Sequence, residues 1–496
     1  MTTESKKIVL IASGTKGGYL HIPLGILYLA EVLLRHGFTP HLVDLRIRDL
    51  QPDELKDALF LGVSHMSGNL QIPPALACAH LAKTHGIPVV FGGNHPSILP
   101  EETAAHPLVD IAVKGDGEEV ILELVDYFHG KRSLHTILGI AFKEKDGRVC
   151  FTGERALPPF DHLTHLPYHL LPMEAYQATR MDFDMQTSRG CPHRCAFCAE
   201  VSLYGRGWRK KPASILVEEV ARIVQDFQPE RIYFVDSNFF CSKKRVREFC
   251  EQLLEKGIQT RFFALCRFEY FASFPPELIQ LLKRAGFNEI EFGGESGSDV
   301  TLARIKKDIT RDHILTGIRL CRDHGLRSFT SFMIGFPGES EEEMMETLDI
   351  YDQINRLDPI GARINGLFIF SPFPGTELYD RVVAEEGFTP PRSLDEWSRF
   401  ELYDARNITW MNEARKRRLQ TISTLARFFF TNKTLASWRW EEKVRRHGGV
   451  FKAALSVALH ATLTPLANWR WKHRFFAFAW EWRLWLLIFN TFMGRK

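Results

Sequence analysis

The stretch TSRGCPHRCAFCAE, residues 187–200, places Cys191, Cys195 and Cys198 within eight positions of a chain that has 9 cysteines in 496 residues. Thiolates at such spacing are ligands for iron–sulfur clusters or zinc. A structural zinc site takes four protein ligands, usually as two short pairs far apart. Here the pattern is C-x3-C-x2-C with no second pair nearby. His193 could complete a zinc site, but the short tether makes a closed tetrahedron awkward. A [4Fe–4S] cluster held by three cysteines leaves one iron open to a substrate or cosubstrate, so three ligands rather than four suggest a reactive centre.

The flanking sequence explains the setting of the trio. "DMQTSRG", "RIYFVDSN", "RFFALCRF", "EIEFGGES", "FTSFMIGFPG" and "ARINGLFIFSP" read as six strands separated by helices. One such helix is "ILVEEVARIVQDF", with Leu216, Val220, Ile223 and Phe227 on one face. Six β/α units predict a partial barrel with its functional groups at the strand C-termini, where the trio falls. The first 150 residues alternate "KIVLIAS", "HLVDL", "LFLGVSHM", "IPVVFGG" and "DIAVKGDGEE" with helical segments, the pattern of a doubly wound parallel sheet. Its strand-end loops carry Ser13, Gly14, Ser64, Gly92, Gly93, Gly115 and Gly117, predicted to line a ligand crevice. Residues 151–180 hold four prolines and read as a linker. From residue 396 strand signals vanish, and seven of the ten tryptophans lie between Trp438 and Trp485. The expected division is therefore 1–150, 151–180, 181–395 and a helical tail, 396–496.

Composition sets bounds. A formal net charge of +3 gives no case for nucleic acid. The scattered cysteines argue against a disulfide framework. With no signal-peptide pattern at the N-terminus, a cytoplasmic setting is expected. The tail run Leu484–Ile488 is far short of a spanning helix, yet Trp and Arg beside apolar runs fit either an interfacial helix or a cap packed on the barrel. "GWRKK", residues 207–211, reads as a solvated face that could reach an anionic substrate.

The trio, with Phe197 before its last cysteine, resembles the radical S-adenosylmethionine (SAM) enzymes, and "YFVDSNFF", "FGGESGS" and "FMIGFPGES" follow in the order of that family. "IPLGILYLAEVLLRHGFTPHLVDL" and "GGNHPSILPEE" resemble the cobalamin-binding domain of one large subgroup. The resemblance implies an α/β cobalamin-binding domain, a partial (β/α)6 barrel and three cofactors: a [4Fe–4S] cluster on Cys191, Cys195 and Cys198, SAM, and cobalamin. It implies SAM contacts from Phe197, Asp236, Ser237, Arg267, Glu295, Ser296, Gly335 and Gly338. The activity implied is cleavage of SAM to a 5'-deoxyadenosyl radical, with cobalamin-dependent methylation of an unactivated carbon. One alternative resembles the anaerobic magnesium-protoporphyrin monomethyl ester cyclase; another is a corrinoid-binding sensor with a structural cluster. A low-potential donor such as flavodoxin or ferredoxin is implied, and the tail adds an expectation of peripheral membrane contact and a small, apolar or membrane-dissolved substrate. Asp44 is followed by Leu45 and Arg46, where the well-known cobalamin motif has its cobalt-ligating histidine. Bound cobalamin is therefore expected to show no protein imidazole.

Overall fold

The computed structural model describes residues 6–16, 20–179, 182–428, 465–478 and 480. The hydrophobic runs of the N-terminal part form a seven-stranded sheet of β1 (Lys7–Ala12), β2 (Thr39–Asp44), β3 (Ala58–Ser64), β4 (Val89–Gly92), β5 (Ile111–Val113), β6 (Ile140–Lys143) and β7 (Val149–Phe151), in the order β2-β1-β3-β4-β5-β6-β7. The first five strands are parallel and covered on both faces, which is why they read as unbroken apolar runs. The strand order reverses between β1 and β3, so the ligand crevice opens at their C-terminal ends. The antiparallel hairpin β6–β7 extends the sheet beyond the five strands expected from sequence.

The second sheet contains β8 (Asp182–Met185), β11 (Arg231–Phe234), β12 (Phe262–Cys266), β13 (Phe287–Glu295), β14 (Arg327–Ile334) and β15 (Ala362–Ile369). All neighbours are parallel and the order is β15-β14-β13-β12-β11-β8, a six-stranded partial barrel. Between β8 and β11 a short antiparallel pair, β9 (Ser188–Gly190) and β10 (Trp208–Lys210), brackets the cysteine loop. The β10 stretch is not a solvated basic face: Arg209 donates to Asp116 at 2.5 Å, and Lys211 is 1% exposed and donates to Glu219 at 2.7 Å.

Two features bind the sheets together. Arg189 on β9 reaches Asp116 at 3.0 Å and Glu118 at 2.7 Å on the N-terminal side, with its guanidinium over the rings of Tyr28 and Phe160. After β15 the chain returns to the first sheet. Val382, Phe388, Leu394, Trp397 and Phe400 share a core with Val9, Val63 and Phe91.

The helix Glu413–Phe428 then packs on β15, where the Ser423 hydroxyl donates to the Leu367 carbonyl at 2.6 Å. The described part of the tail, 465–478, lies against the helix Glu341–Leu357. Its buried Trp471 donates to Asp352 at 2.7 Å, and Arg474 pairs with Asp349 and Asp352. This segment is a packed cap. The rest of the expected interfacial stretch, including Leu484–Ile488, lies outside the described residues. Among the described residues no helix is long and apolar enough to cross a membrane.

Candidate active site

The cysteine loop is tied down before any metal is considered. Buried Asp236, at the end of β11, accepts from the Thr187 amide at 2.6 Å, the Thr187 hydroxyl and the Ser188 hydroxyl at 2.6 Å. Farther along, the Ala196 amide donates to the Ile305 carbonyl and its carbonyl accepts from Leu378, both at 2.9 Å. The loop is thus fixed from both sides of the barrel mouth.

All three cysteines are free thiols. Burial pushes Cys191 up and Cys198 up to about 12. Arg267, following β12, donates to the Cys195 sulfur at 3.3 Å and also to Glu269 and the Lys307 carbonyl. Lys307 in turn donates to Glu295 at 2.7 Å, both buried. Glu295 holds φ +61, a left-handed conformation rare outside glycine, which aims its carboxylate back across Gly293.

The donor set fits an iron–sulfur cluster better than zinc. The trio does not form a group with all ligand atoms within 4.8 Å of one another, as a single small ion needs; among the described residues His135, Glu144 and Cys150 form such a group. His193 is engaged elsewhere, with Nε2 2.7 Å from the Tyr270 hydroxyl.

The residues expected to meet SAM divide into two sets. Arg267 and Glu295 join Cys195 through Lys307. Phe197 stacks obliquely near Phe336, with ring centres 6.1 Å apart. Ser237 is hydrogen-bonded to Glu200, whose carboxyl is pushed up by burial. Others serve the protein itself. Asp236 holds the loop; Ser296 shares a hydrogen bond with Thr347 at 3.0 Å. The Gly335 amide donates to Glu339 at 2.6 Å and its carbonyl accepts from Trp410. Gly338 keeps φ +73 beside Arg381. Asn238 was not expected from the sequence: it is 1% exposed, and neither side-chain amide atom has a hydrogen-bond partner among the described residues. Ser298 is likewise fully buried, its hydroxyl unpaired among the described residues. Such orphaned groups beside a strand end fit a polar ligand.

Between the glycine-lined edge of the first sheet and the barrel mouth lies a cavity of about 550 Å³. Leu10, Phe60, Val90, Val113 and Leu124 make its apolar floor, and Ser64, Gly92, Gly93, Gly115 and Gly117 also line it. A Cβ on Gly92 would meet no protein atom within 4 Å, so it would stand in open space. Gly93, at φ +96, admits no side chain at all, because a Cβ would lie 2.6 Å from the His65 carbonyl oxygen. Ser13 and Gly14 do not line the cavity. The Ser13 hydroxyl donates to Gln71, and Gly14 packs against Arg46. Asp184, Gln186, Arg189 and Tyr233 close the cavity from the barrel side. An apolar slot beneath a glycine rim fits a corrinoid with a bulky nucleotide tail.

Residues 185–350 match the Radical SAM superfamily and residues 12–125 match the B12 binding domain. An uncharacterized methyltransferase of Pyrococcus horikoshii is 30% identical over 397 residues, covering 76% of this chain and 83% of that protein. The protein is a radical SAM enzyme with a B12-binding domain. The anaerobic magnesium-protoporphyrin IX monomethyl ester cyclase of Rubrivivax gelatinosus is 26% identical, over 73% of this chain and 66% of its own length. The fold of the radical SAM methyltransferase TsrM from Kitasatospora setae superposes with a TM-score of 0.66 at 18% identity, over 78% of this chain and 76% of that chain. The enzyme's cofactors are accordingly a [4Fe–4S] cluster, SAM and cobalamin.

Proposed function

We propose that this radical SAM enzyme methylates an unactivated carbon of a small apolar molecule. The observation that carries the reading is the position of the glycine-rimmed cavity, which opens on the first strands of the barrel at Asp184 and Tyr233. The cluster supplies the electron that cleaves SAM, and cobalamin supplies a transferable methyl group.

The chain's own residues bind, orient and exclude water. Cys191, Cys195 and Cys198 hold the cluster, and Arg267 fixes the Cys195 sulfur. Glu295, Lys307, Ser237 and Asn238 meet the polar parts of SAM, while Phe197 packs on its adenine. The barrel interior supplies the acceptor site. Tyr233, Phe263 and Phe329 form an aromatic shelf with ring centres 5.0 and 5.4 Å apart. Beneath it, Arg231 pairs with Asp182 at 2.5 Å and with Glu289, which also accepts from Arg327 at 3.1 Å. This ion network closes the barrel floor, so a substrate resting on the shelf is shielded from water below. A flat apolar acceptor suits that shelf.

In this reading residues 1–150 carry cobalamin, 151–180 connect, 181–395 carry the cluster, SAM and acceptor, and the tail begins at 396. A one-electron donor of the flavodoxin or ferredoxin kind completes the system. The test is anaerobic turnover with methyl-deuterated SAM and a panel of polycyclic lipids and porphyrin esters. A product carrying the deuterated methyl group supports the proposal. An oxidised or cyclised product without it would establish the cyclase reading instead. If the cluster-loaded protein never forms 5'-deoxyadenosine with any acceptor, the sensor reading gains.

A further inference from the structure

The hairpin β6–β7 carries a side-chain cluster that the cofactor sites do not use. Its two faces have different partners. Ala141, Val149 and Phe151 pack with Ala104, while Ile140, Phe142 and Cys150 join the main core together with Leu134. Phe142 and Cys150 are directly opposite in the antiparallel register. Glu144 lies two residues beyond Phe142, so strand alternation carries it onto the same face, diagonal to Cys150. The turn is closed by the Glu144 amide, which donates to the Arg148 carbonyl at 2.8 Å, and by the Gly147 amide, which donates to the Glu144 carbonyl at 2.9 Å. Arg148 pairs with Asp146 at 2.6 Å within the turn.

His135 arrives from the short 3-10 helix Leu134–Thr136, just before the hairpin. Its ring stands edge-on to Phe142 with centres 5.3 Å apart, and its Nε2 is 3.5 Å from Oε1 of Glu144. Cys150 is a free thiol. One ligand atom each from His135, Glu144 and Cys150 lies within 4.8 Å of the other two. Imidazole, thiolate and carboxylate are the side-chain donors that zinc accepts. Zinc bonds of 2.0–2.3 Å at tetrahedral angles set ligand atoms roughly 3.3–3.7 Å apart, a spacing the His135–Glu144 pair already has. A small side-chain rotation closes the rest. A thiolate in the set disfavours magnesium and calcium, which take oxygen donors.

We propose that His135, Glu144 and Cys150 bind one zinc ion, with water in the fourth position. The Cys150 proton passes to solvent as the Zn–S bond forms. The ion clamps the connector 133–137 to both strands of the hairpin. That hairpin is the edge of the sheet, and β7 has three residues and β6 as its one neighbour there. The clamp also steadies the rim of the large cavity, because the Lys114 amide, next to Gly115, donates to the Gly139 carbonyl at the base of the hairpin at 2.8 Å.

The test is zinc loading of the anaerobic, cluster-loaded holoenzyme, so that the thiols of the cysteine loop are already committed to iron. After dialysis against zinc chloride and desalting, one zinc per chain should remain with the iron content unchanged. X-ray absorption at the zinc edge should show one sulfur at about 2.3 Å and the remaining ligands as nitrogen or oxygen at about 2.0–2.1 Å. Cys150→Ser should remove the sulfur from that shell. His135→Gln, a change at a side chain that is 59% exposed and safe for folding, should weaken zinc binding by more than about tenfold. Zinc should slow amide hydrogen exchange over residues 140–151 in wild type and leave it unchanged in His135→Gln. No retained zinc overturns the proposal. A shell without sulfur assigns adventitious surface zinc, and a shell of three sulfurs with loss of iron assigns zinc to the cysteine loop; either overturns it too. So does an unaltered affinity in His135→Gln. Methyl transfer is not part of the readout, so this site and the proposed function can fail separately.

Discussion

At the barrel mouth, Cys195, Arg267, Lys307 and Glu295 form a single chain of polar contacts, in which Arg267 donates to the Cys195 sulfur and to the Lys307 backbone carbonyl and the Lys307 ammonium pairs with Glu295. At the sheet edge, the cavity is walled by aliphatic side chains and by glycines whose missing Cβ atoms are the feature that matters. A site built from charges fails when one link is removed, because the partner is left buried and unpaired. A site built from shape fails when volume is added. The two should therefore respond to opposite kinds of substitution, and each variant below tests whether they do.

The largest effect is expected from Cys195→Ala. It should remove the cluster and reduce 5'-deoxyadenosine formation to background, while corrinoid affinity in equilibrium titration stays within a few-fold of wild type. Loss of both would mean the two sites are not independently built. Next, Gly92→Leu should place a side chain in the cavity and weaken corrinoid binding by more than about tenfold, roughly 1.4 kcal/mol, with iron content unchanged. Normal corrinoid affinity in that variant would remove the cavity from consideration.

Lys307→Met leaves Glu295 buried without its partner, which costs about 3–5 kcal/mol in denaturant unfolding. Adding Glu295→Gln to Lys307→Met should recover much of that loss. If the double variant is no better than the single, the pair is not the reason Lys307 is there.

The smallest and most gradual effect is on acid stability. Burial pushes His65 down to about 4 and His95 to about 3, against an ordinary 6.5. Below the ordinary value the unfolded chain takes up protons that the folded chain refuses. Stability is therefore full above pH 6.5 and falls as pH drops toward 4, by about 1.4 kcal/mol per pH unit for each group. His65→Phe should flatten the slope of unfolding free energy against pH between 6 and 4.5. An unchanged slope would show that His65 is not the source.

The parts of this enzyme that were legible in the sequence are those whose signal is local. Six barrel strands and five sheet strands appear as apolar runs ending in glycine or polar loops, because parallel strands buried on both faces need no alternation. The hairpins β6–β7 and β9–β10 contain strands only three or four residues long, and their pairing is decided by neighbours elsewhere in the chain. The cysteine trio is conspicuous in the sequence because its three thiols stand at short range in one loop. Lys307 and Asn238 are not, since the fold alone brings them to the mouth. Asp236 was legible as a strand-end carboxylate, but the sequence does not reveal that two neighbouring hydroxyls claim it.

Arg189 stands two positions before Cys191, and its guanidinium is locked onto Asp116 and Glu118, which also border the cavity. The segment proposed to carry the cluster is thereby anchored to the segment proposed to cup the corrinoid. Any linkage between occupancy of the two sites runs through this anchor, and by the same factor in both directions. Cobalamin should slow the loss of iron to a chelator, and a loaded cluster should tighten cobalamin to an equal degree. Since losing the cluster should leave corrinoid affinity within a few-fold, the linkage is itself no larger than a few-fold.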